Sequence, residues 1–317
     1  MLEQIALFLA AAVFIVPLFK KIGLGTVIGY LIAGILIGPF GLRLVTDVDS
    51  ILRFSELGVV LLLFIIGLEL QPSRLWVLRR SVFGLGSAQV VVTALFVALG
   101  AWLLGQGTST ALIIGAGLAM SSTAFVLQTL AERKEHTTRH GREAFSILLL
   151  QDLAVIPLQP VLPMLAIHGG DSAPATNWIE VLRGLAVILL MITLGRQVLR
   201  LLFRAVARFG NREIFTAAAL LMVIGTALLM SRIGLSMPLG AFIAGVLMAD
   251  SEFRHELEAE LEPFKGLLLG LFFIAVGMSV NVSLILTSPW TLAGLVLALL
   301  VIKFAALFAI SRSSSGT

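Results

Sequence analysis

Asp152 is the residue in this sequence best placed to do chemistry. It stands in Leu148-Leu-Leu-Gln-Asp-Leu-Ala-Val-Ile-Pro157, inside an apolar run that begins near Arg142. About ten residues of helix put its carboxyl group roughly 15 Å deep. A charge in hydrocarbon is costly and by default marks an ion or proton path, because one carboxyl group can trade a proton for a cation. Lys303, in Val301-Ile-Lys-Phe-Ala-Ala306, is a second charge inside an apolar run. Pairing it with Asp152 would lower the cost of both, and a bound cation would then displace the pair. The alternative for Lys303 is to snorkel to the membrane surface. Met120-Ser-Ser-Thr-Ala124 supplies three successive hydroxyls, Ser121, Ser122 and Thr123, downstream of Gly115 and Gly117. Such a stretch can satisfy backbone groups where a helix unwinds, and the released carbonyls can coordinate a cation. A plain contact of small residues between helices is the other reading. Gln151 points about 100° away from Asp152 around the helix and reads as a cavity or packing polar group and not a titrating one.

Elsewhere the polar residues carry weaker signals. Glu252, Glu256 and Glu262 crowd a short segment with Arg254 and His255, together with Glu258 and Glu260. The pattern suits a solvated face, or a gating or docking segment. His136, His140, His168 and His255 fall in loops with no ligand cluster, cysteine is absent, and no phosphate loop or nucleophile triad is legible. The expectation is no metal site, no bound cofactor and no enzymatic activity.

The elements that must position these residues follow from composition. Of 317 residues 59% are apolar and 13% charged, about half the charge of a soluble domain. A net charge of +4 would suggest nucleic acid in a soluble chain. Here the basic residues sit between apolar runs, where they set orientation in a bilayer, so no nucleic-acid partner is expected. Apolar runs near 3–19, 24–40, 54–70, 81–104, 110–130, 142–167, 178–203, 213–231, 235–250, 264–280 and 288–310 predict an all-α polytopic membrane protein of about 11 transmembrane helices. Most of the 22 Lys and Arg, among them Lys20, Lys21, Arg133, Arg142 and the series from Arg196 to Arg212, follow odd-numbered spans. The opposite side holds only Arg43, Arg53, Arg183 and Arg232. That asymmetry predicts an outside N-terminus and a cytoplasmic C-terminus.

The chain also repeats itself. Shifted by 211 positions, residues 22–38 match residues 233–249 at eight of 17 positions, including Gly29 with Gly240 and Gly34 with Gly245. Phe64-Ile-Ile-Gly67 then falls near Phe273-Ile-Ala-Val-Gly277. The shift spans seven crossings, an odd number, so the copies have opposite orientation. Inverted-topology repeats are typical of secondary transporters, whose substrate sites lie near mid-membrane between the copies. Copy one occupies about 22–167 and copy two about 213–310, with a linker helix at about 178–203. Copy two stops two helices short, and a polar tail follows at 311–317. The second repeat is therefore expected to be incomplete.

Several strings together resemble the Kef-type glutathione-gated potassium efflux systems, within the monovalent cation:proton antiporters. They are Gly41-Leu-Arg-Leu-Val-Thr-Asp, Phe64-Ile-Ile-Gly-Leu-Glu-Leu70, Ser121-Ser-Thr-Ala124, Leu150-Gln-Asp-Leu-Ala-Val-Ile-Pro157, Ser251-Glu-Phe-Arg-His-Glu-Leu, and Pro263-Phe-Lys-Gly-Leu-Leu-Leu-Gly-Leu-Phe-Phe-Ile-Ala-Val-Gly-Met278. The resemblance covers essentially all of 1–310. It implies the NhaA-like antiporter fold, a homodimer joined through the linker helix, and potassium:proton antiport across the bacterial inner membrane by alternating access. It also implies that Asp152 carries both ions, that Ser121, Ser122, Thr123 and Gln151 line the site, and that Lys303 matches a lysine of related proteins. The segment holding Glu252, Arg254, His255, Glu256 and Glu262 would hold the system closed. Relatives continue into a nucleotide-binding regulatory domain that senses glutathione, and they bind a soluble oxidoreductase subunit. Neither the domain nor glutathione gating is expected of these 317 residues. Sodium:proton exchange, a potassium channel and an inactive fragment are the rival readings.

Overall fold

The computed structural model describes residues 2–45, 47–69, 81–166, 178–208 and 211–314. Arg74, Arg79, Arg80 and His168 lie outside the described residues. Every regular element among the described residues is helical: α1 (Leu2–Lys21), α2 (Thr26–Ile37), α3 (Val48–Glu69), a π-helical turn (Ser81–Gly86), α4 (Ser87–Leu103), α5 (Thr108–Ala119) and α6 (Thr123–Glu132). The chain continues with α7 (Arg139–Ala166), α8 (Trp178–Ala207), α9 (Arg212–Arg232), α10 (Met237–Met248), α11 (Arg254–Met278), α12 (Val282–Thr287) and α13 (Pro289–Ser314). Helices occupy all eleven expected stretches. Among the described residues seven are long and apolar enough to cross a membrane.

Two expected spans are shorter than expected. α2 and α10 have 12 residues each, about 18 Å of helix against a hydrocarbon core of roughly 30 Å. Both are bounded by residues that stop helices. Gly25 and Gly234 hold positive φ angles of 84° and 79°, which L side chains rarely adopt, and Pro238 sits in the first turn of α10, where a missing N–H costs nothing. α11 differs in the other direction. It begins at Arg254 and carries Glu256 through Glu262 on a helix rather than a loop. Leu257 and Leu261, four residues apart, are wholly buried, so one face of this segment has an apolar anchor. α13 likewise continues into the expected polar tail as far as Ser314.

The chain divides into two compact units, one of 1–74 and 183–287, the other of 75–182 and 288–317. Each unit thus takes helices from both sequence copies. In the first, α2 packs on α11 and α10 packs on α3. These crossings are reciprocal. Gly34 of α2 lies against the Ile274 carbonyl and Gly277, while Gly245 of α10 lies against the Phe64 carbonyl and Gly67. The glycine pairs from the two copies therefore make the same backbone-to-backbone approach, and small residues are what permits helices to come so close. α8, α9 and the start of α11 are joined by an aromatic cluster. Phe203 lies 5.3 Å from Phe215 and 5.9 Å from Phe253 between ring centroids. Phe203→Leu is expected to cost about 1–2 kcal/mol of stability, read as a lower melting temperature in detergent.

In the second unit α4 packs against α5 and α13, and α7 packs against the π-helical turn, α5 and α6. All the residues expected to form the ion site belong to this unit.

Candidate functional site

The site forms where one apolar run changes direction. α5 ends at Ala119, Met120 takes an extended conformation (φ −66°, ψ 153°), and α6 starts at Thr123. Ser122 is the N-cap of α6, its hydroxyl accepting from the Phe125 N–H at 3.3 Å. Serine suits this position because its short side chain reaches an otherwise orphaned N–H. The Ser-Ser-Thr run is therefore the break in a discontinuous helix, as its residue types suggest.

Each end of the break meets the charge that complements it. The C-terminus of α5 carries partial negative charge and the N-terminus of α6 partial positive charge. Lys303 of α13 donates to the Met120 carbonyl at 2.6 Å and to Ser121 Oγ at 3.1 Å. Asp152, near the middle of α7, accepts from Thr123 Oγ1 at 3.3 Å, in the first turn of α6. The expected pairing of Lys303 with Asp152 is therefore corrected: no ion pair joins them, and the ammonium rests on the carbonyl released by the break. Its position rules out snorkelling as well. Lys303→Met removes the donor from a part-buried carbonyl, which costs about 1–3 kcal/mol locally. Faster hydrogen exchange across 120–124 is the expected readout.

Gln151 does not line an open space. It is 2% exposed; its side-chain oxygen accepts from the Ser121 N–H at 2.8 Å and its amide donates to Gln89 Oε1 at 2.7 Å. Gln89 and Thr93 of α4, both buried, were not singled out by the sequence reading. Their signal was there: two polar residues four apart inside the apolar run at 81–104. The arrangement brings a titratable carboxyl group, hydroxyl and carbonyl oxygens and a fixed ammonium into one small region of the second unit. Such a set can hold a monovalent cation or a proton.

The acidic segment lies in the first unit, against the arginine series of α8 and the start of α9. Four-residue spacing sets Arg196, Arg200 and Arg204 along one helix face. Arg196 pairs with Asp250 at 3.4 Å, Arg200 donates to the Asp250 carbonyl at 3.2 Å, and Arg204 pairs with Glu252 at 3.1 Å. Farther along, Glu260 accepts from Arg212 at 2.6 Å and from Thr216. Glu262 pairs within α11 with Lys265 at 2.6 Å. Arg254 is half-buried with its Nε unpartnered, and His255 and Glu256 are exposed. Of the acidic run, Glu252 thus contacts α8 and Glu260 the start of α9, and Asp250, just before the run, joins them on α8.

Comparison with known proteins bears on the family and the fold. The family described as sodium/hydrogen exchanger, transmembrane, matches residues 8–316. Over 311 residues the chain is 50% identical to the glutathione-regulated potassium-efflux system protein KefC of Klebsiella pneumoniae (strain 342), and equally to that of Escherichia coli (strain K12). These alignments cover 98% of this chain and 50% of each relative, so the chain spans about half the length of the curated relatives it matches. Among solved structures, the sodium proton antiporter MjNhaP1 from Methanocaldococcus jannaschii superposes with a TM-score of 0.66 at 18% identity, over 98% of this chain and 77% of that one. That likeness fixes the fold as an antiporter fold. The match over residues 8–316 shows that this chain belongs to the transmembrane sodium/hydrogen exchanger family of cation:proton antiporters.

Proposed function

We propose that this chain is the ion-translocating region of a potassium:proton antiporter that exports potassium by alternating access. Asp152 is the shared carrier, holding either a proton or a cation. The observation that carries the reading is the break at 120–122, with Asp152 of α7 bonded to the start of α6 and Lys303 of α13 bonded to the end of α5. Thr123 and Ser121 supply further oxygens, and Lys303 supplies a fixed positive charge that keeps the unloaded site near neutrality. The relatives named as potassium-efflux systems support potassium as the cation. In this reading the chain sits in the bacterial inner membrane with its N-terminus outside, and dimerises through α8. The segment from Asp250 to Glu262 acts on gating. Glutathione regulation is named for the relatives. K+ and H+ are the cargo, and no resident cofactor is involved.

Sodium is the second reading, favoured by the sodium proton antiporter that shares the fold. Reconstitution in liposomes with an internal pH dye separates the two. An imposed potassium gradient is expected to drive proton movement at lower cation concentration than an equal sodium gradient. A stronger sodium response would replace potassium with sodium, and potassium flux without proton movement would make the protein a channel.

A further inference from the structure

Three buried polar side chains beside the break, Gln89, Thr93 and Gln151, are joined to one another and to its backbone in an order that fixes which way the two amides face. Gln89, on α4, is 2% exposed and Thr93 is 0% exposed. The Gln89 amide donates to the Ala119 carbonyl at 3.3 Å and to Thr93 Oγ1 at 3.2 Å. Its oxygen accepts from Gln151 at 2.7 Å. Gln151 in turn donates to the Ala119 carbonyl at 3.5 Å and accepts from the Ser121 N–H at 2.8 Å. A side-chain amide has a donor end and an acceptor end that are nearly equal in shape, so only its partners decide which way it faces. Turning Gln89 over would put its oxygen against the Ala119 carbonyl oxygen and its nitrogen against the Gln151 nitrogen. Both contacts would be repulsive, and buried polar groups left unsatisfied are costly. The orientation of Gln89 therefore dictates that of Gln151, and Gln151 must present its oxygen to Ser121.

The consequence reaches Asp152 through the backbone. Gln151 and Asp152 are neighbours on α7, Ser121 and Thr123 are two residues apart at the break, and Thr123 donates to Asp152. Two hydrogen bonds, one from each neighbour pair, thus fix α7 against the start of α6. The Gln151 side chain is buried with its oxygen on the Ser121 N–H, so its part in this arrangement is to hold the break.

We infer that Gln89 is a positioning residue of the ion site: by fixing the orientation of the Gln151 amide, it holds the 120–123 break in register with Asp152 and so sets cation affinity. The inference rests on the reading of Asp152 as the cation carrier. It goes beyond that reading by assigning affinity control to a residue on a different helix that touches neither Asp152 nor the hydroxyls of the break.

The test is the potassium concentration giving half-maximal thermal stabilisation of the detergent-solubilised 317-residue chain, together with the half-saturation for transport in liposomes. Gln89→Met keeps the length of the side chain and removes both its donor and its acceptor. It is expected to raise both potassium midpoints about tenfold, with maximal transport rate little changed. Because Gln89 acts through Gln151, the double variant Gln89→Met/Gln151→Met is expected to be no weaker than Gln151→Met alone. A packing role would instead lower the melting temperature without moving the midpoint, or would add to the effect of Gln151→Met, and either result overturns the inference. Should Gln89→Met not fold, Thr93→Val frees one amide proton of Gln89 and is expected to raise the midpoint about twofold; an unchanged midpoint in whichever variant folds overturns the assignment. Asp152→Asn distinguishes the two levels. Potassium stabilisation that survives Asp152→Asn defeats the carrier reading, whereas stabilisation lost there but unaltered in Gln89→Met defeats only this one.

Discussion

Asp152→Asn is expected to abolish potassium-driven proton movement. The asparagine keeps the size of the side chain and an oxygen that can accept from Thr123 Oγ1, which is 3.3 Å from Asp152 Oδ1. What it removes is the negative charge and the proton that neutralises it. Losing one partner of a buried charge interaction costs about 2–5 kcal/mol, or roughly 30-fold to several thousandfold in cation affinity. The exchange is lost for a stronger reason, since asparagine has no proton to trade. The pH dependence has a definite sign. If proton and potassium compete for one carboxyl group, then acidification raises the potassium concentration needed for half-maximal transport, by up to about tenfold per pH unit, without lowering the maximal rate on the cation side. In Asp152→Asn that dependence should vanish together with the coupling. Coupled exchange that persists with its usual pH dependence would remove Asp152 from the mechanism.

Gly245→Ala is expected to destabilise the first unit by about 3 kcal/mol, at the upper end of overpacking effects. A methyl group there would overlap the Phe64 carbonyl oxygen and come within 3.0 Å of Gly67 Cα. Neither obstacle is the end of a flexible side chain, so α10 and α3 must move apart. Alanine is the better helix former by about 1 kcal/mol, which offsets only part of the strain. Gly34→Ala should behave alike, because the Ile274 carbonyl and Gly277 occupy the corresponding places on α11. Gly225→Ala is the control, since nothing lies within 4 Å of a methyl group there and only the helix preference should register. Melting in detergent would be expected to fall for the two crossing variants and to hold or rise for the control. Equal melting for all three would show that the close crossings contribute no stability.

How much of this was legible in the sequence depends on the distance over which each feature is decided. Helix positions, the reciprocal copies and the break were legible, because apolar length, a 211-residue self-match and three hydroxyls in a row are local or directly comparable signals. The short extents of α2 and α10 were harder to see. Their apolar runs continue past the helix ends, and only Gly25, Gly234 and Pro238 mark the stops. The α11 extension was hidden by its charges, since the decisive residues are Leu257 and Leu261 on its other face. Least legible were the partners. Lys303 bonds to a backbone carbonyl 183 positions away and Gln151 to Gln89 62 positions away. The preference of an ammonium for a carboxylate over a bare carbonyl misleads when the carbonyl terminates a helix. Arg196, Arg200 and Arg204 were counted only for sidedness, although their spacing also presents one charged face.

The reciprocal crossings bear on how the protein is made. α2 and α3 emerge early, but the helices they pack against, α11 and α10, emerge about 200 residues later, roughly 10–40 s of synthesis at 5–20 residues per second. During that interval the glycine faces of the early pair have no partner among the helices already inserted. The first unit therefore assembles in the bilayer after insertion, and neither sequence copy can complete a native core before the other has been delivered. Faults in the late helices should then appear as instability of the whole chain, including the part translated first.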